Sequence, residues 1–374
     1  MTSGIAATAT HIPVNQGHLE ISRPLYQLVV EEILPELGID PATYWTMFEG
    51  LITDLAPKNN ILLLKRYKLQ AEIDTWHQSR CDAPHDPTHY RKFLEKIGYL
   101  LPEGPDFAIS PQQVDEEIAC IAGPQLVVPV KNPRYALNAT NARWGSLYDA
   151  LYGSDVIPET EGAQKTAAYN PLRGECVIAY AREFLDRAAP LTAGSHAQAV
   201  AYRVHHAGLE ISLQDGSRVA LAEPEKFVGY NGDPQAPSEI LLCNHGLHLI
   251  IQIDANHPVG RGDAAHVKDL VLESAVTTIQ DCEDSVAAAD GADKTEVYRS
   301  WLGLMKGTLQ DTFEKNGKPY TRTLAPDRRF LSPQGQPITR HGRALLIVRN
   351  VGHLMTNEAM LLKGEEVPEG ILDA

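Results

Sequence analysis

The sequence predicts a protein of the α/β class whose sheet contains parallel strands. Apolar runs at 124–130, 276–281 and 344–349 indicate this class, and the second and third runs end in charged side chains. Strands of parallel sheets are buried on both faces, so they carry continuous hydrophobicity rather than an alternation of apolar and polar residues. In barrels of parallel strands, the carboxyl ends form the rim that holds the active site. We therefore expect the charged residues at these strand ends to carry function.

Arg349 is the first functional candidate. Five apolar residues, 344–348, run directly into it, which is typical of a buried strand that ends in a cation. A guanidinium group stays charged at any relevant pH and presents a fork of donors to two oxygen atoms. The alternative, an arginine that pairs with a neighbouring carboxylate for structural reasons alone, stays open.

The preceding strand candidate ends in three carboxylates within four residues: Asp281, Glu283 and Asp284. Like charges this close repel unless a metal, an arginine or a polarised substrate lies among them, and such a partner also shifts their pKa values. The alternative is a solvated strand end that caps the following helix. Cys282 lies between these acids, which should raise the pKa of its thiol and make it a poor nucleophile.

The N-terminal part of the chain predicts a small helical domain. Apolar residues recur at helical spacing from 23 to 98, for example at Leu25, Leu28 and Val29. Aspartate followed by proline, at 40–41 and again at 86–87, is typical of a helix N-cap followed by the first helical residue.

The three parallel-strand candidates are too far apart for a plain strand–helix repeat, so the chain between them must hold an insertion. The region 155–263 has strand patterns of its own at 199–205, 209–213, 240–242 and 247–253, with turns expected at Asp215-Gly and Asn231-Gly. We expect an inserted α/β domain there. Helices are expected at 145–151, at 291–309 and from Asn357 onward, and a polar, hairpin-like excursion at 315–340. The expected division is an N-terminal helical domain (1–100), a first barrel segment (101–154), the inserted domain (155–264), a second barrel segment (265–310), the excursion (311–340) and a third barrel segment (341–374).

Composition narrows the functional classes. The chain has 374 residues, enough for more than one hydrophobic core. It has 33 basic and 48 acidic residues and a net charge of −15, without a basic run, so nucleic acid is not an expected partner. Five cysteines without CxxC spacing favour a reducing, cytoplasmic setting. No leader pattern and no run of 18 apolar residues is present, so we expect no membrane association.

Several motifs resemble malate synthase, specifically the long monomeric G isoform. These are the two strand ends at 276–285 and 344–357 and the segments ALNATNARWGSLYDALYG (136–153), NPLRG (170–174), CNHGLH (243–248) and NHPVGRG (256–262). The resemblance implies a (β/α)₈ barrel fold and the condensation of acetyl-CoA with glyoxylate and water to give malate and CoA, an acyl transfer of the glyoxylate bypass, with Mg²⁺ as cofactor. It also implies a monomer for the full-length family.

The resemblance also implies roles for individual residues. Arg349 matches the arginine that contacts glyoxylate and the enolate and is regarded as the catalytic residue, while Asp281 and Glu283 match residues that hold magnesium-bound waters. Magnesium keeps several waters, so such indirect contacts are physically sensible. Residues that match contacts to acetyl-CoA are Val127, Arg134, Tyr135, Ser285 and Arg322. The alternatives are an N-cap role for Ser285 and plain solvation for the loop arginines.

The chain departs from the family in one respect. A (β/α)₈ barrel needs eight strands, and only the first three can be counted here. By resemblance, the direct magnesium ligands and the catalytic aspartate lie beyond residue 374, so we expect a truncated chain with no direct metal ligand of its own. Two alternatives remain: an inactive coenzyme A-binding fragment, or a citrate-lyase-like barrel enzyme. The helical N-terminus and the insertion stand against the second.

Overall fold

A computed structural model describes residues 13–206, 208–283, 288–315 and 317–374. The chain is a mixed α/β protein whose described part begins with a short β-hairpin followed by helices. The predicted helix starts are confirmed: the Asp40 side chain accepts a hydrogen bond from the Thr43 amide, and Asp86 accepts one from Thr88. The first elements are β1 (Val14–Gln16), β2 (Leu19–Ile21), α1 (Arg23–Gln27), a π-helical turn (Leu28–Ile33), α2 (Leu34–Leu37), α3 (Pro41–Gln78), α4 (Pro87–Lys96), α5 (Glu116–Ala119), β3 (Gln125–Pro129), α6 (Pro133–Asn141), β4 (Trp144–Ser146) and α7 (Leu147–Gly153).

The strands in the middle of the chain pair mostly in antiparallel fashion. The strand patterns at 199–205 and 247–253 agree with the observed bounds. The elements are α8 (Pro171–Ala188), a 3₁₀ turn (His196–Gln198), β5 (Ala199–His205), β6 (Gly208–Leu213), β7 (Arg218–Ala220), a second 3₁₀ turn (Pro224–Lys226), β8 (Phe227–Asp233), β9 (Ala236–Asn244), β10 (Leu247–Ile253), α9 (Pro258–Gly262) and β11 (Val267–Glu273).

The last part returns to the parallel strands and then departs from them again. The helix expected at 291–309 ends at Lys306, because Gly307 adopts the left-handed conformation (φ 73°) that closes a helix. The elements are β12 (Thr277–Asp281), α10 (Gly291–Lys306), β13 (Gln310–Lys315), β14 (Lys318–Thr323), β15 (Arg328–Leu331), β16 (Pro337–Arg340), β17 (Leu345–Arg349), β18 (Thr356–Leu362), β19 (Glu365–Pro368) and α11 (Glu369–Asp373).

The three predicted parallel strands pair with one another in the order β17, β12, β3. Thr277 aligns with Gln125 and Leu345, and Asp281 aligns with Pro129 and Arg349. Side chains on one face of this sheet, including Thr278 and Gln280, are fully buried. They share that side with a small apolar core formed by Val130, Ala136, Cys282, Val297, Leu304 and Val351. In the described part of the chain, β3 and β17 are the edge strands of this sheet.

A larger antiparallel sheet occupies the middle of the chain. Among the described residues its order is β16, β15, β8, β9, β10, β11, β4, and α7 and α8 share its core. The second hairpin of the predicted excursion, β15 and β16, therefore extends this sheet through Leu331 and Tyr230. The expected turn at Asn231-Gly is wrong: Gly232 (φ 88°) lies inside β8, where the register shifts, and the chain reverses after Asp233. Glycine with positive φ serves a strand irregularity as well as a turn, so the dipeptide alone is ambiguous.

The motif at 170–174 has a structural role in this region. The Asn170 side chain accepts hydrogen bonds from the Leu172 and Arg173 amides and thereby caps α8. The Arg173 side chain is fully buried and carries no carboxylate partner among the described residues. Its guanidinium group instead donates to main-chain carbonyl oxygens of Tyr152, Ser154, Ile157 and Ala163.

Two ends of the described chain meet in a sheet of the order β1, β2, β18, β19. The helix expected from Asn357 onward is therefore wrong. The sequence NEAMLL favours a helix locally, but Met360 pairs with Ile21 and both side chains are buried against Trp45 of α3. Tertiary burial outweighs an intrinsic preference that is worth only tenths of a kcal/mol per residue, about 0.5 at most here. The sequence from Glu369 to Ala374 also predicts the start of a helix, and this prediction is confirmed by α11.

A buried carboxylate joins the large sheet to the chain that precedes β4. Glu273, at the end of β11, accepts hydrogen bonds from Arg143 Nε (2.9 Å) and from the His248 amide and Nδ1 (2.7 and 2.9 Å). Arg143 is buried and also pairs with Glu117, which agrees with the packing role expected for it. Arg340 Nε donates to the other His248 ring nitrogen, so this imidazole carries its proton on Nδ1.

We predict a pH-dependent contribution of Glu273 to stability. Burial raises its pKa, but the hydrogen bonds from His248 and the charge of Arg143 outweigh burial, and the pKa lies below its ordinary value of 4.5. The stabilisation is therefore complete above about pH 4.5 and is lost as the pH falls through the lower folded-state value. Glu273→Gln should cost about 3 kcal/mol at pH 7 and progressively less below pH 4.5, as measured by urea unfolding. The control is Glu95→Gln on exposed α4, which should change little at any pH. An equal cost at pH 7 and pH 3.5 would contradict the prediction.

Candidate active site at the ends of the parallel strands

Parallel register brings Arg349 and Asp281 side by side at the carboxyl ends of β17 and β12. The pair is bidentate: Arg349 Nε lies 2.8 Å from Asp281 Oδ1, and Nη2 lies 2.8 Å from Oδ2. The Asp281 side chain is fully buried, whereas the Arg349 side chain is 40% exposed. Forked donors that match both carboxylate oxygens are among the stronger protein hydrogen bonds. The carboxylate therefore fixes the orientation of an arginine that still faces the open side of the strand ends.

The backbone after β12 turns back onto the same carboxylate. The Glu283 amide donates to Asp281 Oδ1 at 2.9 Å, and the Cys282 amide donates to the Arg349 carbonyl at 3.0 Å. The Glu283 carboxylate, 30% exposed, lies 3.9 Å from Arg349 Nε. The sequence required something positive among these acids, and the structure places Arg349 there. The structural pairing considered for this arginine is thus present, and it is compatible with a functional role.

Two residues of the candidate set, Asp284 and Ser285, lie outside the described residues, which omit 284–287.

The structure brings together two of the predicted coenzyme contacts, Arg134 and Arg322, on the ring of Phe313. The Arg134 guanidinium carbon lies 4.0 Å from the ring centroid, and that of Arg322 lies 5.7 Å from it. Arg134 is the second residue of α6, whose first turn is capped by Asn132 through the Tyr135 amide. The two arginines are far apart in sequence, and only the docking of the β13–β14 hairpin on α6 makes them neighbours.

The remaining predicted coenzyme contacts are exposed. Tyr135 is 53% exposed, next to Arg134 on α6. Val127 is 58% exposed although it lies in the middle of β3, while the next residue, Val128, is buried. Strand side chains alternate between faces, so Val127 lies on the face opposite the helices, the face that also carries Ile279 and Asp281 in register. This apolar, open face leads to the Arg349 pair.

Sequence reasoning missed two residues that organise the arginine pair. The Asn141 side chain, at the end of α6, donates to the Thr323 carbonyl (2.9 Å) and accepts from the Ala325 amide (2.8 Å), so it holds the base of the hairpin. Phe313 supplies the ring. The hairpin had been expected, and an aromatic pair directly opposite each other, Phe313 and Tyr320, was the available signal.

Cys282 is buried, and burial raises the pKa of its thiol to about 12, with a further contribution from Asp373 and a smaller one from Asp281. The predicted direction is confirmed, although burial rather than the adjacent acids is the main cause. A thiol that stays protonated is a poor nucleophile.

The spacing and apolar flanks of His245, His248, His257 and His353 predict satisfied interior side chains, and this prediction is wrong for three of them. His248 is half-buried and bound to Glu273, but His245, His257 and His353 are exposed, and His257 caps α9 through the Val259 amide. Among the described residues, no three His, Cys, Asp or Glu side chains are grouped so that they could hold a metal ion.

A second buried ionic cluster lies close to the Arg349 strand. The Lys294 side chain, fully buried on α10, lies 2.5 Å from Glu369 Oε1 and 2.8 Å from Asp373 Oδ1 of α11. Asp373 also accepts hydrogen bonds from the Tyr298 hydroxyl (2.7 Å) and the Val351 amide (2.8 Å). The cluster therefore ties α10 and α11 to the backbone two residues after Arg349.

Among the described residues, no helix is both long enough and apolar enough to cross a lipid bilayer.

The fold and the strand-end pair define the class to which the chain belongs. Residues 25–86 match the family described as malate synthase, N-terminal domain, and residues 169–244 match malate synthase G, alpha-beta insertion domain. These segments coincide with the N-terminal helices and with α8 to β9. The chain belongs to the malate synthase G family.

Individual relatives extend this similarity along the chain. The chain is 53% identical to malate synthase G of Halalkalibacterium halodurans over 358 residues, which are 96% of this chain and 49% of the relative. Identity is 47% over 373 residues to malate synthase G of Corynebacterium glutamicum, 100% of this chain and 50% of the relative. It is 46% over 361 residues to that of Corynebacterium efficiens, 96% and 48%. The chain spans about half the length of the curated relatives it matches.

We predict that Lys294 is needed to keep the strand-end region folded. Lys294→Met removes the cation and leaves Glu369 and Asp373 buried without compensation, which should cost about 3–5 kcal/mol in urea unfolding. The matched control is Lys131→Met, because Lys131 pairs with Asp293 of the same helix at 2.7 Å but both side chains are 30% exposed. Its replacement should cost no more than about 1 kcal/mol. Equal losses for the two variants would show that burial of the Lys294 pair has no special importance.

Proposed function

We propose that this chain carries the arginine-centred part of a malate synthase, an acyltransferase that condenses acetyl-CoA with glyoxylate and water to give malate and CoA in the glyoxylate bypass. The observation that carries the proposal is the in-register pair of Arg349 and buried Asp281 at the ends of parallel strands. Its family membership supports it. The proposal attributes to this chain the activity named for relatives twice its length.

We assign β3, β12 and β17 to a (β/α)₈ barrel as its first three strands. Three features support this assignment: the parallel register, helices α6 and α10 on one face, and a partly exposed opposite face that carries Val127 and Ile279. The domain boundaries given above, with the insertion at 155–264, are part of the same proposal. A cytoplasmic location and a monomeric state complete it, the former supported by five free cysteines.

In this proposal Arg349 binds the oxygens of glyoxylate and stabilises the enolate of the acetyl group. A guanidinium group can do both because it presents parallel donors and keeps its charge while negative charge develops on oxygen. Proton transfer is not its role, because its pKa is far above neutrality. Asp281 positions the group: its two hydrogen bonds hold the arginine in one orientation, so little reorganisation is needed when substrate binds.

Glu283 and Asp281 suit magnesium only indirectly. Both oxygens of Asp281 already accept hydrogen bonds from Arg349, and Glu283 is the more exposed carboxylate. The more exposed Glu283 carboxylate suits a hydrogen bond from a metal-bound water, which is the usual mode for a cation that keeps its hydration shell, and Asp281 holds Arg349 beside it. When bound, magnesium would polarise the aldehyde as a Lewis acid. We assign no direct magnesium ligand among the described residues.

For the coenzyme, we assign Arg134 and Arg322 to phosphate or adenine, and Val127, Tyr135 and Ser285 to the rest of the acetyl-CoA site. The overall charge of −15 repels an anionic coenzyme, so local cations must attract it. Two guanidinium groups on one ring supply such a cluster.

A second candidate function is coenzyme A binding without turnover. The pair of guanidinium groups on the Phe313 ring favours it, because coenzyme binding alone would use that pair. A citrate-lyase-like enzyme is disfavoured by the matches to both malate synthase domains.

The decisive experiment measures CoA release from acetyl-CoA with glyoxylate and Mg²⁺, together with the thermal unfolding midpoint with and without coenzyme A. If the chain turns over, Arg349→Lys should lower the rate about 100-fold or more, since an ammonium group cannot reproduce the fork. The control is Arg299→Lys on the surface of α10, which should leave the rate unchanged.

Binding separates the two candidates. A coenzyme concentration of 100 times Kd should add about 2.7 kcal/mol to the stability of the folded chain and so raise its midpoint. A raised midpoint without turnover would favour the binding function. If the chain shows no turnover and no shift of its unfolding midpoint at millimolar coenzyme A, both functions are ruled out for it.

A further inference from the structure

The hairpin β13–β14 presents an alternating set of side chains to α6. Cross-strand register places Asp311 opposite Arg322 and Phe313 opposite Tyr320, so all four side chains lie on one face. Arg322 is the diagonal neighbour of Phe313, within reach of a long side chain. Phe313 and Arg322 are half-buried on a hairpin whose neighbouring residues are mostly exposed. This face is the one that meets α6, because Arg134 of α6 contacts the same ring.

We propose that Phe313 is a positioning residue that holds Arg134 and Arg322 together as one anion-binding unit for the phosphate groups of coenzyme A. The proposal rests on the function proposed above for the two arginines and adds the group through which they act together. Phe313 is not a catalytic residue, because it acts through the arginines.

The electrostatics of the three side chains support this role. An aromatic ring attracts a guanidinium group through the negative potential of its face, and this attraction needs no anionic partner. Among the described residues, neither Arg134 nor Arg322 has a carboxylate within salt-bridge distance, although Asp311 lies opposite Arg322 in register. The ring therefore restrains both cations without neutralising them. Two restrained, uncompensated cations are a better phosphate site than two solvated ones, because less side-chain entropy is lost on binding.

The backbone keeps this arrangement in place. Asn141 fixes the hairpin base to the end of α6, while Asn132 caps the start of α6 beside Arg134. One aromatic ring thus joins two elements that are already anchored, and leucine at 313 would keep an apolar contact but lose the attraction for the guanidinium groups.

The test measures coenzyme A binding to the full 374-residue chain by titration calorimetry. Phe313→Leu should weaken binding about fivefold or more, because two cation–π contacts are lost, and Phe313→Tyr, which retains a ring, should stay within about twofold of the unsubstituted chain. The matched control is Tyr99→Leu, an exposed aromatic residue after α4, which should not change binding. Equal affinity of the Phe313→Leu variant and the unsubstituted chain would overturn the proposal.

A double-mutant cycle separates positioning from direct stacking of Phe313 on the coenzyme. If Phe313 acts through Arg134, the effect of Phe313→Leu should be smaller in an Arg134→Met background than in the unsubstituted chain. The same fold loss in both backgrounds would overturn the positioning role. Failure of the unsubstituted chain to bind coenzyme A would instead overturn the function proposed above, together with the role of Phe313 in it.

Discussion

The in-register parallel pairing of β3, β12 and β17 is the constraint on which the rest of the structure depends. Parallel strands need a crossover that leaves from one end of the sheet and returns to the other. Between β3 and β12, this crossover holds the elements from α6 to β11, which include five of the seven strands of the large antiparallel sheet; between β12 and β17, it holds α10 and two hairpins. Register then sets Asp281 beside Arg349, because both are the last residues of their strands. The strand-end site is a consequence of alignment rather than of any local motif.

The buried carboxylates of this region are compensated by cations. Asp281, Glu273 and the pair Glu369–Asp373 are buried carboxylates, and each has a cation within hydrogen-bond distance: Arg349, Arg143 and Lys294. Two of these cations are themselves buried, and Arg349 is the exception with its partial exposure. Burial of an unpaired carboxylate costs several kcal/mol of stability, so each of these carboxylates needs its cation. Arg349, the partly exposed cation, lies at the open ends of the strands, while the buried cations hold the surrounding elements in place.

The hairpin β13–β14 contributes to a second cluster of positive charge, besides Arg349 at the strand ends, and its cations are held in place differently. Aromatic contact takes the place of ion pairing there: the ring restrains Arg134 and Arg322, and neither has a carboxylate partner among the described residues. In a chain of net charge −15, this local arrangement is what makes an anionic coenzyme a reasonable ligand. The two sites differ accordingly. The carboxylate-paired arginine at the strand ends suits a small polar substrate, and the two arginines on the Phe313 ring suit phosphate groups.

The sequence by itself determined the three parallel strands, the helix starts at Asp40 and Asp86, the strands of the insertion and the need for a positive partner near Asp281, because periodicity, capping and charge repulsion are local properties. It did not determine that β18 forms a strand, since NEAMLL is locally helical and only burial of Met360 against β2 and α3 decides otherwise. Nor could it show that Gly232 lies within a strand, or that Phe313 joins two arginines 188 residues apart. Those outcomes depend on which distant surfaces meet, and only the tertiary structure specifies that.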